Sequence, residues 1–340
     1  MSEGIPLVRL GQGDYTRDIG PREAPAAPQK AVLTATRLAT LRRCPRQHYF
    51  RYELGLERVR EATPLRLGGA FHRGLELRNR GAGEAEALSE ALAEYEVAPA
   101  WADDFAWRVE AETVRNLLAG HFWRYGADDV RILEAERSFE LPLVNPATGK
   151  ASRSFVLAGK IDGLVQLADG RLAVLEYKTA GEDIGPDSAY WIRLRCDPQI
   201  SQYVIAARAL GYDVATVLYD VTRKPAIRPR KGESPEQFGQ RLLEDLGQRP
   251  DFYFQRREVP RLEADLDEYR HELWQQAKQL MEMRRHGRWY RNVGRFTCDT
   301  CPFADLCLQS IRVDPADPPP AGYRFVNDLH PELHTEGATS

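Results

Sequence analysis

The chain has 340 residues, 43% of them hydrophobic and 29% charged, with a formal net charge of −3 at pH 7. That is the composition of a soluble, globular enzyme. No apolar run approaches the roughly 18 residues a membrane span needs, and charges from Glu3 to Asp18 leave no room for a secretory signal. Five cysteines, an odd number and mostly clustered, argue for metal binding in a reducing compartment over disulfides, so the expected location is the cytoplasm.

In chain order, residues 1–30 carry Gly and Pro without hydrophobic periodicity and are expected to be a disordered tail. Residues 31–312 read as one elaborated domain, without repeats or a second compositional zone. From Val313 the sequence Val-Asp-Pro-Ala-Asp-Pro-Pro-Pro opens a loosely wrapped, Pro-rich tail over 313–340. Within the domain, Thr36 is placed to cap a helix carrying Leu38 and Leu41, and Pro45 breaks or restarts it, which leaves Cys44 at a helix junction. Gly68-Gly69 are expected to open a helix with His72 and Leu75, and 83–96 and 108–125 read as further helices.

The stretch from Thr36 to Arg80 holds eleven Arg against four Glu, a local charge of +7 that leaves −10 elsewhere. Such a run is often only a solvated face. Arginines without lysine, interleaved with His48, Tyr49, Phe50 and Tyr52, also suit phosphate forks and base stacking, which makes Arg42, Arg43 and Arg46 candidate DNA-binding residues.

From Ile132 the pattern changes to strands over 132–143 and 154–167. Ala168-Asp169-Gly170 then turns the chain into Arg171–Lys178 and makes a β-hairpin. A helix around 198–210 and a buried strand Val214–Val221 imply a parallel step in a mixed sheet, so the class is α/β. After the strand-like 251–259, Leu262, Leu266, Tyr269, Leu273, Leu280 and Met283 recur at helical spacing as core contacts.

Asp162 lies on one arm of the hairpin, and Glu176 and Lys178 end the other. Residues two apart on a strand share a face, so Glu176 and Lys178 point together and Tyr177 points away. Across the hairpin Asp162 can join Glu176 in an oxygen-rich site of the kind Mg2+ or Mn2+ prefers, with Lys178 beside the attacking water. Farther on, Cys298, Cys301 and Cys307 form C-x2-C-x5-C, and Cys44 lies 254 positions before Cys298. Four thiolates suit an iron–sulfur cluster or a structural Zn2+, and spacing alone does not separate the two. Cys196, outside this pattern, reads as a small buried hydrophobe, and His48, Trp289 and Tyr290 as packing near the cysteines.

Six motifs in order over about residues 34–310 carry a resemblance. They are Ala-Thr-Arg-Leu-Ala-Thr-Leu-Arg-Arg-Cys-Pro around Cys44, Gly-Gly-Ala-Phe-His around His72, and Gly-Lys-Ile-Asp-Gly around Asp162. Leu-Glu-Tyr-Lys-Thr around Glu176, Gln-Ile-Ser-Gln-Tyr from Gln199 to Tyr203, and Cys-Asp-Thr-Cys-Pro-Phe-Ala-Asp-Leu-Cys complete the series. The chain resembles the PD-(D/E)XK nuclease superfamily, in its RecB-like branch with an iron–sulfur cluster, which includes CRISPR-associated exonucleases and AddB-type nuclease domains.

The resemblance implies a restriction-endonuclease-like mixed sheet flanked by helices, with an N-terminal helical part clipped to the C-terminus by a four-cysteine cluster. It implies metal binding by His72, Asp162, Glu176 and the Tyr177 backbone carbonyl, and activation of water by Lys178. Gln199 and Tyr203 would brace Lys178 or touch the DNA phosphate. Cys44, Cys298, Cys301 and Cys307 would hold a 4Fe-4S cluster. The implied activity is metal-dependent cleavage of DNA, as an exonuclease on single-stranded or frayed ends, in repair, recombination, phage or CRISPR-related processing. No G-x-x-x-x-G-K-[ST] loop is present, so a separate helicase or a recombination or CRISPR protein is a candidate partner, and a membrane is not. The rival from a different class is a non-catalytic DNA- or partner-binding protein on a nuclease fold.

Overall fold

A computed structural model describes residues 30–334. The expected N-terminal tail therefore lies, apart from Lys30, outside the described residues. The first half is mainly helical: β1 (Ala31–Leu33), α1 (Ala35–Arg43), α2 (Pro45–His48), a π-helical turn over Tyr49–Glu53, β2 (Leu56–Arg58), α3 (Thr63–Asn79), α4 (Glu84–Leu92) and α5 (Asp104–Tyr125). Then come β3 (Arg131–Val144), β4 (Ala151–Gln166), β5 (Leu172–Ala180), α6 (Ala189–Leu194), α7 (Pro198–Ala209) and β6 (Val214–Arg223). The chain ends with α8 (Pro235–Gln248), α9 (Pro250–Tyr253), β7 (Phe254–Pro260), α10 (Glu263–His286), α11 (Arg295–Cys298), α12 (Ala304–Leu308) and β8 (Tyr323–Phe325).

β4 is the spine of a six-stranded mixed sheet. β3 pairs antiparallel along one edge, from Arg131↔Gln166 to Val144↔Ala151. Two strands share the other edge. β1 runs parallel to it as far as Leu33↔Leu157, and β5 runs antiparallel from Gly163↔Leu175 to Gln166↔Leu172. Between Leu157 and Gly163 that edge has no strand partner among the described residues, and this gap is where the site opens. β5 then runs parallel to β6, as the strand–helix–strand reading expects, and β7 closes the far edge antiparallel to β6.

Helices cover both faces because the strands alternate apolar residues to both sides. Phe71 and Leu75 of α3, Leu117 and Leu118 of α5 and Leu242 of α8 pack on Leu175 and Leu218. Ile200 and Val204 of α7 and Leu266 of α10 pack on Val174 and Val217 from the other side. A Cβ at Gly74 would stand 2.6 Å from Leu118 Cδ1, so glycine there permits the close approach of α3 to α5. A separate small core of Phe50, Leu56, Phe303, Leu306 and Tyr323 holds the cysteine-bearing end of the chain.

Several local expectations change. Thr34, not Thr36, caps α1: its backbone is extended and its hydroxyl accepts from the Arg37 N–H at 3.1 Å, while Thr36 lies inside the helix. Gly68-Gly69 sit within α3, which starts at Thr63 with Pro64 in its first turn. Strand β7 is preceded by the helical turn α9. Leu262, as the residue before α10, is 69% exposed, while its helical companions from Leu266 to Met283 are buried. The Pro-rich C-terminal segment is held at several points: β8 pairs antiparallel with β2, Glu332 accepts from the Thr34 hydroxyl at 2.9 Å, and His330 stacks on Tyr52. Prolines end helices, but Tyr323 and Phe325 alternate well enough to supply a strand.

Candidate active site

Asp162 and Glu176 stand where the β4–β5 ladder stops. In place of the next ladder bond, the Tyr177 N–H donates to Asp162 Oδ2 at 2.9 Å, so the aspartate side chain props the two strands apart. Glu176 is 2% exposed. One of its oxygens pairs with the Lys178 ammonium, and the other, Oε2, is buried without a hydrogen-bond partner. Tyr177 points to the opposite face, as strand alternation requires, and its hydroxyl donates to Asn79 Oδ1 at 3.2 Å.

The electrostatics follow from this burial. Loss of solvent pushes the Glu176 carboxyl up, with Asp162 and Asp197 adding to the rise and Lys178 opposing it. Burial would lower Lys178, but Glu176 and Asp162 outweigh it and the ammonium is held above its ordinary value. His72 on α3 is lowered by burial and by Lys178 and Lys160, against Asp162, so its imidazole is neutral at neutral pH. Asp162, Lys178 and Lys160 are thus among the charges around His72.

α7 brings the remaining expected residues to the same place. Asp197 caps it, accepting from the Gln199 N–H at 2.8 Å, and Gln199 Nε2 donates to the Tyr203 hydroxyl at 2.9 Å. The buried Tyr203 phenol is pushed well up by desolvation and then by Glu176 and Asp162, so it lies in the field of both carboxylates.

Three participants went unassigned in the sequence. Lys160 shares a strand with Asp162 at a two-residue offset, and its ammonium pairs with Glu136 at 2.5 Å. Glu136 sits at φ +55°, a left-handed conformation rare outside glycine, opposite the Asp162 stretch of β4. Burial, then the Asp162 and Glu76 carboxylates against Lys160, pushes its carboxyl up to about 7. Behind the site, Asp220 pairs in register with Tyr177 and is 1% exposed. It accepts from Arg256 Nε at 2.8 Å and contacts His121 Nε2 at 3.0 Å. Period-two alternation from Asp162 could have pointed to Lys160. Nothing in the sequence pairs Glu136 with it or Asp220 with His121.

At the other end of the chain, Cys44 is buried at the α1–α2 junction, where its sulfur accepts from the Asn292 N–H at 3.5 Å. Burial raises the Cys301 thiol, and Cys44 and Cys307 both add to that rise, so these three lie in one neighbourhood. Cys298 is three residues before Cys301, whose N–H donates to the Cys298 carbonyl at 3.0 Å in the turn between them. Cys196 is exposed in the turn between α6 and α7, not a buried hydrophobe. His48 is fully buried and stacks on Trp289, which is also buried, while Tyr290 is 54% exposed.

Among the described residues, no group of three or more His, Cys, Asp or Glu side chains is assembled so as to hold a metal ion. The donor chemistry nevertheless fits: the unpaired Glu176 oxygen beside Asp162 and a neutral His72 suit a divalent cation, and the thiols of Cys44, Cys301 and Cys307 are of the kind a soft centre takes.

Much of the arginine-rich stretch is spent inside the fold. Arg37, Arg51, Arg58, Arg66, Arg73, Arg78 and Arg80 all form ion pairs. Arg42 Nη1 donates to Gln276 at 3.1 Å, and Arg43 donates to the carbonyls of Phe296 and Thr297 just before Cys298. Arg46 Nε is buried without a hydrogen-bond partner.

A mixed central sheet flanked by helices, with Asp, Glu-x-Lys and a brace from the next helix gathered at one edge, is the architecture of the restriction-endonuclease-like fold. The profile of the PD-(D/E)XK nuclease superfamily matches residues 32–308, and the chain belongs to that superfamily. No curated protein matches. A solved structure titled "Crystal structure of SSO0001" is similar at 14% identity over 84% of this chain and 90% of that one, with a TM-score of 0.36, a likeness too loose to bear on function. No helix among the described residues is long and apolar enough to cross a membrane.

Proposed function

We propose that this chain is a divalent-metal-dependent DNA nuclease of the RecB-like branch, acting as an exonuclease on single-stranded or frayed ends. The observation that carries this reading is the buried, unpartnered Glu176 Oε2 beside Asp162 at the β4–β5 fork. A buried carboxylate oxygen left without a partner is costly, and a cation removes the cost. Asp162, Glu176 and His72, with the Tyr177 carbonyl, would hold Mg2+ or Mn2+. The ion when bound would supply Lewis-acid polarisation of a phosphoryl oxygen.

Lys178, kept cationic by its carboxylate neighbours, orients the attacking water and offsets the charge that grows on the phosphate. Gln199 and Tyr203 hold each other on one helical face and so limit where Lys178 and the phosphate can lie. The water oxygen joins phosphorus, the P–O3′ bond breaks, and a proton ends on the leaving 3′-oxygen, which leaves a 5′-phosphate. Asp162→Ala, Glu176→Gln and Lys178→Ala should each abolish cleavage of linear DNA under Mg2+ and Mn2+ while the protein stays folded. Three variants that cut like wild type would sink the assignment. End-blocked and circular substrates, left intact, would support exonuclease action.

We also propose that Cys44, Cys298, Cys301 and Cys307 carry a 4Fe-4S cluster, supported by the thiol neighbourhood around Cys301. Iron and sulfide analysis of anaerobically purified protein separates this from structural zinc.

A further inference from the structure

Away from the carboxylate fork, a cavity of about 350 Å3 opens between α2 and the segment that follows α12. Its volume lies in the roughly 300–1,000 Å3 range of small-ligand sites. Arg46, Arg291 and Arg312 line it, together with Tyr49 and Asp314. Cys307 is the only one of the four cysteines at its wall, so the cavity is distinct from the space between the thiols.

Among the described residues, no carboxylate pairs with Arg46, Arg291 or Arg312, in a fold where Arg37, Arg66 and Arg256 are all paired. Asp314 is spent on its own turn, accepting from the Ala316 N–H at 3.0 Å. Arg46 Nε is buried without a hydrogen-bond partner, and its guanidinium lies 5.7 Å from the centre of the Tyr49 ring. Three guanidinium groups against the single Asp314 carboxylate leave the concavity net positive, which suits a multivalent oxyanion, and guanidinium geometry matches phosphate. The loop that supplies Arg291 also carries Arg288 and a half-exposed Tyr290, and α11 directly after it carries Arg295, paired with Asp299, and Phe296, which is 88% exposed. Arginines interleaved with exposed rings suit a strand whose bases stack while its phosphates are held.

We propose that this cavity binds a backbone phosphate of single-stranded nucleic acid, with Phe296 stacking on a neighbouring base, as an anchor separate from the cleavage site. The choice of a nucleic-acid strand over a free anion rests on the nuclease reading; the cationic cavity itself does not. The test uses full-length protein carrying Glu176→Gln and a labelled single-stranded oligonucleotide, followed by fluorescence anisotropy across a salt series. Arg291→Ala/Arg312→Ala should weaken binding at least about tenfold and lower the log–log salt slope by about 0.7 for each phosphate no longer neutralised.

Phe296→Ala, at a side chain that is 88% exposed, should weaken binding about tenfold with the slope unchanged. Inorganic phosphate and a mononucleotide serve as competitors. Displacement of the oligonucleotide by either at matched phosphate concentration would assign the cavity to a free anion and overturn the strand proposal. Wild-type affinity and slope in both variants would overturn the anchor and leave the nuclease standing. Variant-sensitive binding by a protein that never cuts would do the reverse, and a wild type that binds no DNA would remove both.

Discussion

Glu136 holds an unfavourable backbone conformation and a buried carboxyl raised to about 7 from an ordinary 4.5. A carboxyl whose folded value is raised binds its proton more tightly in the folded state than in the unfolded one. Its effect is therefore absent below about pH 4.5, and stability falls as pH rises from there to about 7. In metal-free protein, wild type should lose stability relative to Glu136→Gln across that window, by at most about 3 kcal/mol. Urea unfolding of the pair at several pH values reads the difference directly, and a constant difference would show that Glu136 does not titrate there. Strand alternation already put Glu176 and Lys178 on one face with Asp162 across the hairpin, and four-residue spacing put Gln199 beside Tyr203, while His72 was expected there only from the resemblance. Glu136 and Asp220 could not, because their roles depend on which residue lies across the ladder, and register is a property of the folded sheet.

At the scale of elements, the cap of α1 offers a clean comparison. Thr34→Ala removes the hydroxyl that accepts from Arg37 and donates to Glu332, and should cost about 1 kcal/mol or slightly more. Thr36→Ala, inside the helix, should change stability by only a few tenths of a kcal/mol and with the opposite sign. Equal losses in thermal or urea unfolding would restore Thr36 as the cap. The cysteine elements make a second prediction. Cys301→Ser should lose the brown colour of anaerobically purified protein and lower its melting temperature, because closing a loop of about 254 residues is worth up to roughly 5 kcal/mol in a chain-entropy view. Exposed Cys196→Ser should do neither. Helices and strands were largely visible as periods of 3.6 and 2, and the parallel β5–β6 step followed from them. The pairings β1–β4 and β2–β8 were hidden, since three-residue strands carry too little pattern to show.

Across the whole molecule, the N-terminal segment is fastened by parts of the chain that lie far away in sequence. Glu53 takes Arg37 and Arg284 together, Arg43 reaches the carbonyls before Cys298, and β2 has β8 as its partner. Deleting residues from Tyr323 onward should cost about 3 kcal/mol, mainly through the buried Tyr323 ring, and should speed tryptic cleavage around Arg51 and Arg58. Unchanged proteolysis would show that β8 is dispensable.

This fastening also sets an order of events during synthesis. β1 leaves the ribosome more than a hundred residues before β4, the strand it must join, and β2 waits longer still for β8. This segment is thus made long before it docks. Until then its apolar residues Leu38, Leu41, Phe50 and Leu56 lack their native cover and stay open to solvent.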